Sequence, residues 1–266
     1  ELFRMLAGPQ PAPALRLLSA LGLLPALCPF PLPPAAELEQ RIGLVQTLGD
    51  IFTVISPHRT DNSAAQLMLG VAVMVLDRFR RQLQEHLSRE LVDGRTVAAL
   101  ALLTALTPSA VLSAGERWAA YLRLSNAEAR TMSALQKALA TVPRRPPVDA
   151  RAAHRYYREV GEAGVTGVLV MLAEELHAGI APEAWGDVLE HVASPLLEAF
   201  FRRHQEIVSP PPLLDGDDLM QALGIQPGPQ VGSLLERLLE EQAAGTVRTR
   251  REALELAGRL AAGKRS

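Results

Sequence analysis

Apolar residues recur at three- and four-residue spacing along almost the whole chain, as they do in helices that bury one face. ELEQRIGLVQTLGDIFTVI (37–55) carries the pattern plainly, and the spacing predicts a helix there. SPHRTDNS (56–63) reads as a loop in which Asp61 or Asn62 can cap the next helix. Residues 62–90 read as one long helix, apolar on most sides in its first half and amphipathic in its second, broken by Asp93-Gly94. GRTVAALALLTAL (94–106) is apolar enough to be buried among other helices. SNAEARTMSALQKALATV (125–142) opens with Ser125 followed three residues later by Glu128, a capping box.

The rigid, basic stretch VPRRPP (142–147) is the best boundary, dividing the chain into 1–145 and 146–266. Beyond it, DARAAHRYYREVG (149–161) starts a second bundle and AGVTGVLVMLAEELHAG (163–179) reads as a buried helix. A long helix over 181–208 is kinked or divided by Pro195. SPPPLLDG (209–216) is a stiff linker to three short helices: DDLMQAL (217–223), PQVGSLLERLLEEQ (229–242) and TRREALELAGRLA (249–261). No stretch reads convincingly as a strand. The expected fold is all-α, an elongated multi-helix bundle or array.

Composition supports this. Of 266 residues 48% are hydrophobic and only 4% aromatic, so Leu and Ala, both strong helix formers, carry the core. The run LMLGVAVMVL (67–76) is too short to cross a bilayer, and Arg16 and Pro13 interrupt the apolar N-terminal stretch, so neither a membrane nor a signal peptide is expected. Cys28, alone among apolar neighbours, reads as an inert thiol in a reducing cytoplasm. Glu1 opens what reads as the interior of a helix, and the chain is expected to be a fragment.

Little in the chain looks like chemistry. The carboxylates of DGDD (215–218) resemble a Mg²⁺-binding pair, but Asp at a helix start caps free N–H groups, and capping is the better reading. The six histidines show no metal-ligand spacing. Arginine is more informative: of 27 basic residues only Lys137 and Lys264 are lysine. Arginines cluster at 78–81, 144–145, 151–158, 202–203 and 248–251. Residues 245–266 hold six basic residues against two acidic ones, a local charge of +4 within a chain of net charge −2. The planar guanidinium fork suits phosphate oxygens. Next to that cluster lies LGIQPGPQVGSLLERL (223–238), with Gly224, Gly228 and Gly232 at every fourth position. The stretch lacks the lysine and the preceding strand of a P-loop. It serves either as a joint between packed helices or as a helix start open to an anion.

The segment 213–257 resembles the tail of the bacterial CCA-adding enzyme and poly(A) polymerase family, the tRNA nucleotidyltransferases. The resemblance rests on Gly216, Asp218 and Leu219, on the joint Gly224, Pro227, Gly228, Pro229 and Gly232, and on Gly245, Thr249, Glu252, Ala253 and Leu254. ALRLLSALGLLPALCP (14–29) resembles the helix after the family's neck, and LRLSNAEAR (122–130) resembles its L-R-[LF]-S-N-x-E segment. The resemblance implies the helical body and tail of a class II enzyme, without the catalytic head that binds Mg²⁺ and nucleoside triphosphates. No cofactor is expected in this chain, and the chain alone is expected not to add nucleotides. The family's metal-dependent HD subdomain is expected to be degenerate. Thr104 and Ala105 stand where His-Asp would fall, and HRTDNSAAQ (58–66) lacks the second histidine. The resemblance implies tRNA or other structured RNA as partner, held at Gln230, Ser233, Arg248, Arg250 and Arg251, with Arg144 and Arg145 as further contacts. The alternatives are a residual HD phosphohydrolase and a non-catalytic helical scaffold, with a homodimer as its partner.

Overall fold

Leu- and Ala-rich segments fold into helices wherever the three-to-four spacing is sustained. The computed structural model describes residues 1–56, 67–92, 95–108 and 113–263. In chain order the helices are α1 (Leu2–Leu6), α2 (Pro11–Ala20), α3 (Ala35–Ile55), α4 (Leu67–Leu76), α5 (Arg80–Ser88), α6 (Val97–Leu106), α7 (Ala114–Leu122), α8 (Asn126–Thr141) and α9 (Ala150–Val160). They continue with α10 (Ala163–His177), α11 (Pro182–Val188), α12 (Ser194–Phe201), α13 (Gly216–Leu223), α14 (Pro229–Ala243) and α15 (Arg250–Gly263). The fold is all-α as expected. Among the described residues no helix is long and apolar enough to cross a membrane. Two compact units form, one from Glu1–Pro146 with Val160–Ser194, the other from Pro147–Glu159 with Pro195–Ser266.

In the first unit α10 is the central post. Its residues from Ala163 to Ala173 are all buried, and it packs against α3 and α8, while α3 also packs on α2 and α6. At Gly43 on α3 the tip of the His177 ring stands where a Cβ would come, so this exposed side chain would turn aside for any larger residue. The few polar groups in this core are paired. Trp118 donates its indole N–H to Thr107 Oγ1 at 2.9 Å, and Trp185 donates to the Met68 carbonyl at 2.8 Å. Cys28 is buried, and desolvation pushes its thiol up to about 11, so it is unreactive at neutral pH.

Local rules explain the helix ends. Ser125 and Glu128 form the capping box at the start of α8. Glu128 is fully buried, and Arg95 donates to its two oxygens at 3.1 and 3.3 Å. Arg95 is positioned by an element that the sequence pattern did not show. Strands β1 (Glu90–Val92) and β2 (Arg95–Thr96) pair antiparallel, with Glu90 opposite Thr96. Three and two residues are too few for an alternating pattern to register.

The expected single helix over 62–90 is interrupted: a 3₁₀ turn at Asp77–Phe79 separates α4 from α5. The break lets the apolar face of α4 and the buried Leu83, His86 and Leu87 of α5 turn inward independently. The expected cap at Asp61 or Asn62, the segment 58–66 and Asp93-Gly94 lie outside the described residues. Pro195 does divide its helix. It cannot donate to the carbonyl four residues back, and the chain widens into a π-helical turn at Leu189–Ala193 just before it.

The second unit is built on α13, α14 and α15, whose apolar faces close over Leu214, Leu219, Val231, Leu234, Leu238 and Ala257. α9 is fastened here by side chain-to-backbone bonds. His154 Nδ1 lies 2.6 Å from the Ile207 carbonyl oxygen, and the Tyr157 hydroxyl donates to the Leu196 carbonyl at 2.9 Å.

Removing one member of a buried ion pair strands the other, so Glu128→Ala is expected to lower unfolding free energy by about 3 kcal/mol in urea titrations. A second expectation concerns His86, which is buried with Nε2 2.8 Å from Thr166 Oγ1. Burial, then the charge of Arg89, lowers its pKa to about 4, with Glu162 opposing. Unfolded, the imidazole protonates near pH 6.5. Between those values the unfolded chain binds more protons, so stability is full above about pH 6.5 and falls as pH drops towards 4. The loss is on the order of 3 kcal/mol. Urea unfolding at a series of pH values is expected to show this slope, and His86→Gln to remove that part of it.

Candidate nucleic-acid interface

The tail is assembled from three helix starts, of which α13 and α15 are closed by reciprocal side-chain caps and α14 has no side-chain cap. At α13, Asp215 Oδ1 accepts from the Asp218 amide at 2.8 Å and Asp218 Oδ2 accepts from the Asp215 amide at 3.1 Å. Asp215 and Asp218 therefore form a capping box, in line with the expected capping role of DGDD, and Asp217 lies outside it. α13 ends at Gly224 with φ +62°, a left-handed residue of the kind glycine adopts without strain. α14 starts with Pro229 in its first turn. At α15, Thr249 Oγ1 accepts from the Glu252 amide at 3.2 Å, and Glu252 Oε2 accepts from the amides of Arg248 at 2.7 Å and Thr249 at 3.2 Å. These bonds hold the Glu252 carboxyl below its usual range.

The expected contact residues separate along this tail. Gln230 and Ser233 are half-buried in the first turn of α14, where Ser233 Oγ donates to the Gln230 carbonyl at 3.0 Å. Arg248, Arg250 and Arg251 lie beyond the other end of that helix. The turn after α14 folds back so that the amides of Thr246 and Val247 donate to the Glu241 carbonyl. Adjacency in sequence had suggested one site. Instead, the two groups of backbone positions stand at opposite ends of a 15-residue helix, roughly 22 Å long at 1.5 Å per residue.

The arginines also differ in what they are free to do. Arg250 forks onto both oxygens of Asp218, one bond at 2.7 Å, and joins α15 to α13. The pair keeps the Asp218 carboxyl low and the guanidinium raised. Arg144 sits between Glu174 at 2.5 Å and Glu175 at 3.3 Å. Burial works against its charge, and the bonds to the two carboxylates outweigh that and raise its pKa. Arg145 is exposed, with no ion-pair partner among the described residues. Arg248 is exposed and donates Nε only to the Gly245 carbonyl at 3.0 Å. Arg251 is 83% exposed and faces Glu255 at 3.9 Å, too long to hold it. Arg155 and Arg259 are also exposed and unpaired among the described residues. Arg259 lies two turns beyond Arg251 on the same face of α15, a spacing visible in the sequence. Arg151 and Arg158 of α9 bind Glu241 and Glu236 of α14 and serve as structural clamps.

The expected HD positions lie elsewhere, on buried α6. Thr104 donates its hydroxyl to the Leu100 carbonyl at 2.8 Å, and with Ala105, Gln136 and Glu174 it lines a cavity of about 400 Å³. Among the described residues no three His, Cys, Asp or Glu side chains are grouped to hold a metal ion.

The decisive comparison is with a family model described as tRNA nucleotidyltransferase domain 2, putative, which matches residues 97–257. The chain belongs to the tRNA nucleotidyltransferase family. It is 31% identical over 259 residues to a CC-adding tRNA nucleotidyltransferase of Geobacter sulfurreducens, covering 95% of this chain and 51% of that protein. It is 29% identical to a CC-adding tRNA nucleotidyltransferase of Thermus thermophilus and 29% identical to an A-adding tRNA nucleotidyltransferase of Deinococcus radiodurans. Again 95% of this chain is covered, against 54% and 55% of those proteins. The chain thus spans about half the length of these family members. No solved structure matches it.

The capping assignment predicts a contrast within DGDD. Asp215→Ala is expected to cost about 1 kcal/mol in chemical denaturation and to speed hydrogen exchange at the Asp218 amide. Asp217→Ala, at an exposed position outside the box, is expected to stay within about 0.5 kcal/mol of the wild type.

Proposed function

We propose that this chain is the RNA-holding body and tail of a tRNA nucleotidyltransferase, and that nucleotidyl transfer is carried out by residues outside it. The observation that carries this reading is similarity along 95% of the chain to proteins named for adding C or A to tRNA, over only about half of their length. The exposed guanidinium groups of Arg145, Arg248 and Arg251, none hydrogen-bonded to a carboxylate among the described residues, suit phosphate oxygens. Gln230 and Ser233 offer polar contacts at the opposite end of α14. Recognition on this reading is by backbone and shape, as is usual for structured RNA. Arg144 and Arg250 act indirectly, since their guanidinium groups are occupied by carboxylates.

The test is tRNA binding by the purified chain across a salt series. Affinity is expected to fall steeply with salt. Arg145→Ala, Arg248→Ala and Arg251→Ala are each expected to weaken binding several-fold and to reduce the logarithmic salt slope by about one. A chain that binds tRNA without salt dependence, or not at all, sinks the RNA-holding role and leaves a helical scaffold.

A further inference from the structure

A second cavity, of about 410 Å³, lies in the first unit among α5, α8 and α10, apart from Thr104, Ala105 and the tail. Its volume is within the range of small-molecule sites. Its walls are largely apolar, with Val97, Leu135 and Val160 among them. Its polar groups are spread from inside to rim. Deep inside is His86, only 9% exposed, whose Nε2 is taken by the fully buried Thr166 hydroxyl. The ring lines the cavity, and among the described residues its Nδ1 makes no hydrogen bond. At the rim Arg89 is neutralised by Glu162, which accepts from it at 2.5 and 2.8 Å. Arg130, also on the rim, is exposed and has no partner among the described residues. The described lining therefore carries one uncompensated positive charge at the mouth, an apolar middle and one hydrogen-bonding nitrogen inside.

We propose that this cavity binds a single nucleotide. The edge of a nucleobase, which offers both donors and acceptors, meets His86 Nδ1. The base and sugar lie along Val97, Leu135 and Val160, and the phosphate reaches Arg130. An inorganic anion satisfies only the rim, and an apolar molecule pairs with neither polar end. The same chemistry is presented by a free nucleoside monophosphate and by an unstacked residue of an RNA strand.

The experiment is calorimetric titration of the whole chain with AMP and with CMP, using inorganic phosphate and adenosine as controls. In parallel, an RNA hairpin with one bulged nucleotide is compared with a fully paired hairpin. Mononucleotide binding at about 1 mM or tighter is expected, weakened about tenfold by Arg130→Ala and abolished by Ala134→Phe, which fills the cavity. The chemical shifts of the His86 ring report occupancy directly, so the result stands even where Ala134→Phe folds poorly. Preference for the bulged hairpin that disappears in Arg130→Ala, with no mononucleotide binding, assigns the site to a strand. Absence of both, or nucleotide binding that leaves the His86 signals and both variants unchanged, overturns the proposal. Mononucleotide binding is independent of the tRNA reading: a chain that takes AMP and ignores tRNA loses its proposed function and keeps this site.

Discussion

The first unit depends on burying α10. A helix whose first eleven residues are all buried needs neighbours around its circumference, and α3, α6, α8 and α11 supply them. Their placement follows from that demand. Gly43 lets His177 lie against α3, and Thr166 on α10 meets the His86 ring. Glu162, at the N-cap of α10, takes the Arg89 fork. The polar residues that enter this core do so in pairs, because an unpartnered donor or acceptor in a dry interior costs more than the pair contributes. His86 shows the consequence, remaining neutral in the fold far below the pH at which a free imidazole would charge.

In the second unit the organising force is arginine bound to carboxylate. The tail helices are short, and their shared core is made of a few leucines, valines and alanines. Arg250 ties α15 to α13, while Arg151 and Arg158 tie α9 to α14. Exposed pairs of this kind add little stability one at a time. They do set register and orientation, since a planar fork accepts a carboxylate in few geometries. The arginine-rich composition that suggests nucleic acid is thus used twice, once to join helices and once to leave cations facing solvent.

Much of the fold was legible in the sequence because the relevant rules are local. The apolar run at 163–179 gave the buried helix, Ser125 and Glu128 gave the cap, and Pro195 gave the division of its helix. The 3₁₀ break at Asp77–Phe79 was not legible, because apolar and amphipathic patterns join there without glycine or proline. The short β pair escaped because its strands are too short to carry an alternating pattern, and because Arg95 meets Glu128, 33 residues away. The Thr249–Glu252 cap could have been read from T-R-R-E, yet the two arginines inside it drew the reading to phosphate.

The candidate site was less legible for a related reason. Which arginine is free depends on carboxylates distant in sequence: Glu174 lies 30 residues from Arg144, and Asp218 lies 32 from Arg250. Neighbours in the chain therefore have opposite roles. Arg144 is held between two glutamates while Arg145 faces water, and Arg250 is forked while Arg251 is nearly unpaired. A phosphate competes poorly for a guanidinium that already satisfies both oxygens of a carboxylate, because the exchange strands that carboxylate. A cluster of arginines in a sequence thus marks a surface, and the pairing in the fold decides which of them a ligand can reach.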